Sequence, residues 1–202
     1  MGQKLEALQA IGEYNLTDAD LLPVIDDENI LLEDPEALRY AASHATEERT
    51  LEQIAERAMR TRMAYHDAPE EARGTVDQRA NEILRTVAYN EHTSNKVLSF
   101  CISSNDPQTI YQVTQNPNSD KETQQRALDT LKEMDTDVSR HFVKEFDRVQ
   151  KETEARMSNF ERDESGRLVI KGGLDKALDR LTPTKGDNDS RDRERKNDKT
   201  ER

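Results

Sequence analysis

Apolar residues recur at helical spacing along most of the chain. Leu51, Ile54, Ala55 and Ala58 stand at i, i+3, i+4 and i+7, and Val97, Phe100 and Cys101 form a similar stripe. Ala127, Leu131, Met134, Val138, Phe142, Phe146 and Val149 carry the same period further. Helix starts punctuate the pattern. Asp34-Pro35-Glu36 offers a cap followed by a proline that has no N–H to leave unpaired at the first helical position. Ser119-Asp120-Lys121-Glu122 has the spacing of a capping box. Asp135-Thr136-Asp137 predicts a break and a new cap, opening a long helix from 137 to about 161. Only "SGRLVIKGG", 165 to 173, reads as a β-type run, and "LDKALDRL", 174 to 181, returns to one helical face through Leu174, Ala177, Leu178 and Leu181. The elements predict an all-α fold.

The middle of the chain repeats itself. With Ala42, Ala64, Ala88 and Thr114 as anchors, 22, 24 and 26 residues apart, Leu38, Arg60, Leu84 and Ile110 stand four residues earlier. Ala41, Met63, Val87 and Val113 immediately precede the anchors, and His44, His66, Asn90 and Asn116 follow two residues later. Each unit reads as an apolar helix end, a polar turn and a second helix, so Asn90 and its counterparts are expected to bond freed backbone groups in the turn. Arg60 interrupts one apolar column and Gly74 weakens the helix after Pro69. Helix pairs repeated at such intervals bury their stripes against one another as a solenoid.

The segment "VAYNEHTSNKVLSFCISSNDPQTIYQVTQNPNSDKETQQRAL", residues 87 to 128, resembles the variant leucine-rich repeat and the wider group of HEAT-like α-helical repeats. The resemblance extends over about 34 to 134. It implies a surface for protein partners. It also departs from the relatives that act on nucleic acid or carry a metal cluster, because the chain has no basic groove and no cysteine cluster.

Composition sharpens this picture. Only 33% of the 202 residues are apolar while 36% are charged, a lean supply for one large core. The net charge of -12 opposes phosphate binding, so direct contact with nucleic acid is not expected. Nine acids (Glu6, Glu13, Asp18, Asp20, Asp26, Asp27, Glu28, Glu33 and Asp34) face Lys4 alone in the first 34 residues. Residues 184 to 202 alternate charges with no large apolar side chain and are expected to be disordered. The predicted plan is an acidic helical segment (1–33), a helical repeat domain (34–134), a long C-terminal helix (135–162), a linker with a short amphipathic helix (163–182) and a charged tail (183–202). No apolar run is long enough to span a bilayer and no leader pattern opens the chain, so a cytoplasmic protein is expected.

Chemistry is sparse. No nucleophile, phosphate-loop or zinc-protease motif occurs, and no cofactor is expected. His44 and His66 share a repeat column, but two imidazoles without a third ligand make a poor metal site. Cys101, the single cysteine, sits between Phe100 and Ile102 and reads as a buried thiol. Residues 49 to 85 hold seven arginines, no lysine and seven acids, which favours internal pairing. The best ligand-site candidate is then an arginine patch of Arg57, Arg60, Arg62 and Arg73, since arginine suits bidentate contact with carboxylate or phosphate. Leu174, Ala177, Leu178 and Leu181 make a second candidate, a helix that docks in a partner's groove, with 166 to 171 free to add as a strand. Together these features predict a non-enzymatic binding scaffold or assembly adaptor, a short HEAT-like α-solenoid whose partners are proteins, basic ones among them. Two rival readings are an acidic regulator that mimics nucleic acid on a basic surface, and a HEAT-like enzyme acting on nucleic acid.

Overall fold

The computed structural model describes residues 2–12, 15–158, 160–162 and 167–171. Ten α-helices and two short strands occur among them: α1 (Gln3–Ile11), α2 (Asp18–Ile25), α3 (Ile30–Glu33), α4 (Pro35–His44), α5 (Glu48–Ala64), α6 (Glu70–Tyr89), α7 (Asn95–Cys101), α8 (Pro107–Gln115), α9 (Lys121–Met134), α10 (Asp137–Met157), β1 (Phe160–Arg162) and β2 (Leu168–Ile170). A 3₁₀ turn, Ile102–Ser104, extends α7. The chain is therefore predominantly helical. It divides into two compact units, Met1–Glu145 and Phe146–Arg202.

In the first unit α4 packs on α6 and α6 on α8, while α5 touches α7 and α7 touches α9. α1 and α2 lean on α4, and α3 on α4 and α6. Leu51, Ile54, Ala55 and Ala58 on α5 are buried as their periodicity predicts, and the buried stripes of α4 (Ala37, Leu38, Ala41, Ala42) and α6 (Ile83, Leu84, Val87, Ala88) include the predicted Leu38 and Leu84, whereas Val138 of the predicted α10 stripe is exposed. The buried stripes join residues from Leu5 to Leu131 in one continuous core. Leu21, Ile30 and Leu31 of the acidic opening segment are fully buried in it, so that segment is part of the body it precedes.

The four anchor alanine and threonine positions do not fall alike in the structure. Ala42, Ala88 and Thr114 lie in the last turns of α4, α6 and α8 and are buried, whereas Ala64 ends α5 and is exposed beside Met63. Ala64 therefore belongs to the other row of helices. Successive helices from α4 to α9 alternate between these two rows, so the step from Ala42 to Ala88 spans both shorter anchor spacings.

Local starts follow the caps with small shifts. Asp34 accepts from the Ala37 N–H at the start of α4 and from the Leu5 N–H at the start of α1, so a single carboxylate closes two helix N-termini. A Cβ at residue 2 would run into that carboxylate, which accounts for Gly2. At α9 the cap is Asp120, bonding the Thr123 N–H at 2.7 Å, and the Ser119 hydroxyl predicted for that role is buried without a partner. The carboxylate wins because it is the stronger acceptor for an N–H at a helix N-terminus. Asp135 takes the left-handed conformation at φ 45°, and Thr136 and Ser139 cap α10 reciprocally. In the second unit α10 ends at Met157, before the predicted 161. β1 and β2 then pair antiparallel, Phe160 opposite Ile170 and Arg162 opposite Leu168. Leu174, Ala177, Leu178 and Leu181, and the charged tail, lie outside the described residues.

Candidate binding surface at the α4–α6 seam

Asparagine fixes one hairpin to the next. Asn90, the residue that closes α6, donates both Nδ2 hydrogens across the seam, to the carbonyls of Ala42 and Ala45 at 2.9 Å each, and its Oδ1 accepts from the His92 N–H at 2.8 Å. Asn116 repeats the arrangement after α8, donating to the Ala88 and Asn90 carbonyls at 2.8 and 2.9 Å and accepting from the Asn118 N–H at 2.9 Å. Helix C-termini leave carbonyls without intrahelical partners, and a buried one without a bond is costly. The amide supplies two donors and an acceptor in one plane, so each asparagine satisfies the preceding helix end and shapes its own turn.

Beside this ladder, a groove follows the α4–α6 seam. A hollow of about 510 Å³ is lined by Ala45, Tyr89, Asn90, Glu91 and His92 together with Ser43 and Thr86. Ser43 and Thr86 are shared with a second hollow of about 240 Å³ that runs on past Tyr40 and Arg39 to Leu5 and Gln9 of α1. Ala45, Asn90 and Leu5 form the groove's buried base, while Arg39, Ser43 and Tyr89 stand at the outer surface. On α4 the His44 ring stacks on Tyr40 at 4.0 Å between centroids, and its Nδ1 lies 2.9 Å from the Tyr40 carbonyl oxygen. The Ser43 hydroxyl lies at the same distance, 2.9 Å, from that nitrogen. Glu36 pairs with Arg39, and His92 lies 3.9 Å from Glu91. Tyr89 stands at the rim with 77% of its surface exposed. The sequence pattern gave Tyr89 no role, since it lies off the buried stripe of α6. Its one signal was its position directly before a turn asparagine.

The predicted arginines separate. Arg57 binds the end of α2 through the carbonyls of Ile25 (3.1 Å) and Asp26 (3.5 Å), and shares a hollow of about 170 Å³ with Arg60, which pairs with Glu56 on its own helix. Arg62 turns inward to Asp77 at 2.9 Å and to the Ser104 carbonyl. Arg73 is exposed on α6. Arg79 reaches the Leu31 and Leu32 carbonyls at the end of α3, and Arg126 the Ser99 carbonyl of α7. Arginine in this fold closes helix ends that neighbouring elements present, a use that fits its several donors and the negative end of the helix dipole.

The opening acids are likewise structural in part. Asp18 accepts from the Thr46 N–H (3.0 Å) and hydroxyl (2.7 Å) and from the Glu47 N–H (3.0 Å). Burial alone raises its carboxyl, but hydrogen bonds from Thr50, Thr46 and the backbone outweigh burial and hold it below the usual carboxylate range. Asp20 closes a capping box with Thr17, and Asp27 pairs with Lys4 and caps Asn29. His44 lies in the seam groove while His66 is exposed beside Asp67. Among the described residues no three His, Cys, Asp or Glu gather as a metal site. Burial pushes the Cys101 thiol up to about 12. Among the described residues no helix is long and apolar enough to cross a membrane. No family model, no curated protein and no solved structure matches the chain.

Proposed function

We propose that the chain is a non-enzymatic protein-binding scaffold, a short α-solenoid of HEAT-like hairpins that receives a partner segment along the α4–α6 seam. The observation that carries the reading is Tyr89, 77% exposed over a groove whose walls Asn90 locks together. An exposed aromatic with few rotatable bonds, set on a rigid support, gives contact area at low entropic cost, which is how interface anchors work. The hydroxyls of Ser43 and Thr86 and the rings of Tyr40 and His44 offer polar contacts around it. Immobilised wild-type chain is expected to retain a discrete protein partner from extract, and Tyr89→Asp to lose it with an unchanged circular dichroism spectrum. Equal retention by both would contradict the reading.

The acidic-regulator reading has less to stand on. Four of its nine opening acids, Asp18, Asp20, Asp27 and Asp34, already accept internal hydrogen bonds. Removing residues 1 to 34 would also strip Leu21, Ile30 and Leu31 from the core, so charge reversal at the exposed Glu6, Asp26, Glu28 and Glu33 is the sound test of that rival.

A further inference from the structure

The second helix row carries a hollow of different character. About 230 Å³ in volume, it lies between α5 and α7, with Ala55 and Val97 as its buried floor and Phe100 as a wall. The periodicity places Phe100 on the buried stripe with Val97 and Cys101, yet it is 38% exposed and turned to this hollow. The rim is charged. Glu52 and Glu56 line the hollow from α5, Glu48 stands one turn before them on the same helix, and Lys96 of α7 pairs with Glu52 at 2.5 Å. All three carboxylates act on that ammonium: the Glu52 hydrogen bond raises the Lys96 pKa most, with Glu48 and Glu56 adding to it. Arg60 is taken up by Glu56. The carboxylates thus outnumber the cations that reach them, on a molecule of net charge -12.

We infer that this hollow is a second docking socket, for a basic segment of another protein that inserts one large apolar side chain between α5 and α7 and sets Lys or Arg against the α5 glutamates. Its volume falls below the roughly 300–1,000 Å³ of small-molecule pockets and suits a single anchor. The charge complementarity selects a cationic partner and excludes an acidic one. Lys96 occupies the position a partner's cation would take. The socket lies on the row opposite the seam and does not depend on Tyr89.

The test uses the full chain, isotope-labelled, and three short amphipathic peptides of one length. The first is built from Lys, Leu and Ala with one central Phe, the second has that Phe replaced by Ala, and the third has every Lys replaced by Glu. The Phe peptide is expected to shift the amide signals of Ala55, Lys96, Val97 and Phe100, and to bind at least about tenfold more tightly than the other two. The double change Glu52→Lys with Glu56→Lys is expected to cost about tenfold in affinity, while Glu133→Lys on α9 leaves it unchanged. Equal affinity for the Phe and Ala peptides, shifts scattered elsewhere, or shifts at these amides that depend on protein concentration alone would overturn the socket, the last by assigning the hollow to a second copy of the chain. Loss of the seam partner on changing Tyr89 bears on none of these outcomes.

Discussion

Around the apolar core, polar side chains join the helices by finishing the end of a helix from a different part of the chain. Asn90→Ala would leave the buried ends at Ala42 and Ala45 without donors and free the His92 turn. The expected loss is about 3 kcal/mol, read from urea unfolding, and Asn116→Ala should cost a similar amount. Asp34→Ala removes two caps at once and is expected to cost about 2 kcal/mol. Asp18 gives a pH signature. Its folded carboxyl is held below the ordinary 3.8, so the stability it lends is present above that value and is lost as pH falls through the lowered one. Asp18→Asn is therefore expected to be less stable than wild type at neutral pH, and the gap to close well below pH 3.8. Urea unfolding of both proteins at the two pH values measures it, and a gap that stayed constant would contradict the assignment. At this scale the sequence shows which residues occupy turns, Asn90 and Asn116 among them, but not what they touch. The carbonyls to which their amides donate lie 26 to 48 residues away, and no local pattern encodes a contact at that range.

Helices were more legible than their joints. Apolar stripes on α4, α5, α6 and α9 identify buried faces because a helix that must hide one side repeats its apolar residues at that period. The reading failed where two elements compete for one signal. Ala64 mimics a hairpin anchor, and only the exposure of Met63 and Ala64 shows that α5 has already passed the core. Ser119 and Asp120 are both good caps in sequence, and the choice is made by which acceptor reaches the Thr123 N–H. Phe100 was read as core because the stripe on α7 is short, leaving too few residues to fix its direction. Gly74 lies inside α6 with open space where a Cβ would point. Gly74→Ala is expected to stabilise the protein by about 0.5–1 kcal/mol in thermal or urea unfolding, since it lowers the entropy of the unfolded chain at no steric cost.

At the scale of the whole molecule, a continuous core joins the opening helices to those that follow, although composition alone set residues 1–33 apart as an acidic helical segment. Asp18, Asp20 and Asp34 cap helix ends while Leu5, Leu8, Leu21, Ile25, Ile30 and Leu31 enter the core. Cys101 reports on that core from within. Fully buried and with its thiol pushed up to about 12, it is expected to resist alkylation in the native protein and to react at the rate of global opening, which timed labelling across a urea series measures. Function was the least legible level. Tyr89, Ser43 and Thr86 come from helices far apart in sequence, so the groove exists only once the Asn90 ladder has joined α4 to α6. A photoreactive amino acid placed at Tyr89, and separately at Glu133 on α9, tests the central claim most directly when each full-length variant is irradiated in extract. A single cross-linked protein from position 89 that is absent from position 133 is the predicted result; an identical pattern from both, or none from position 89, would contradict a partner-binding seam.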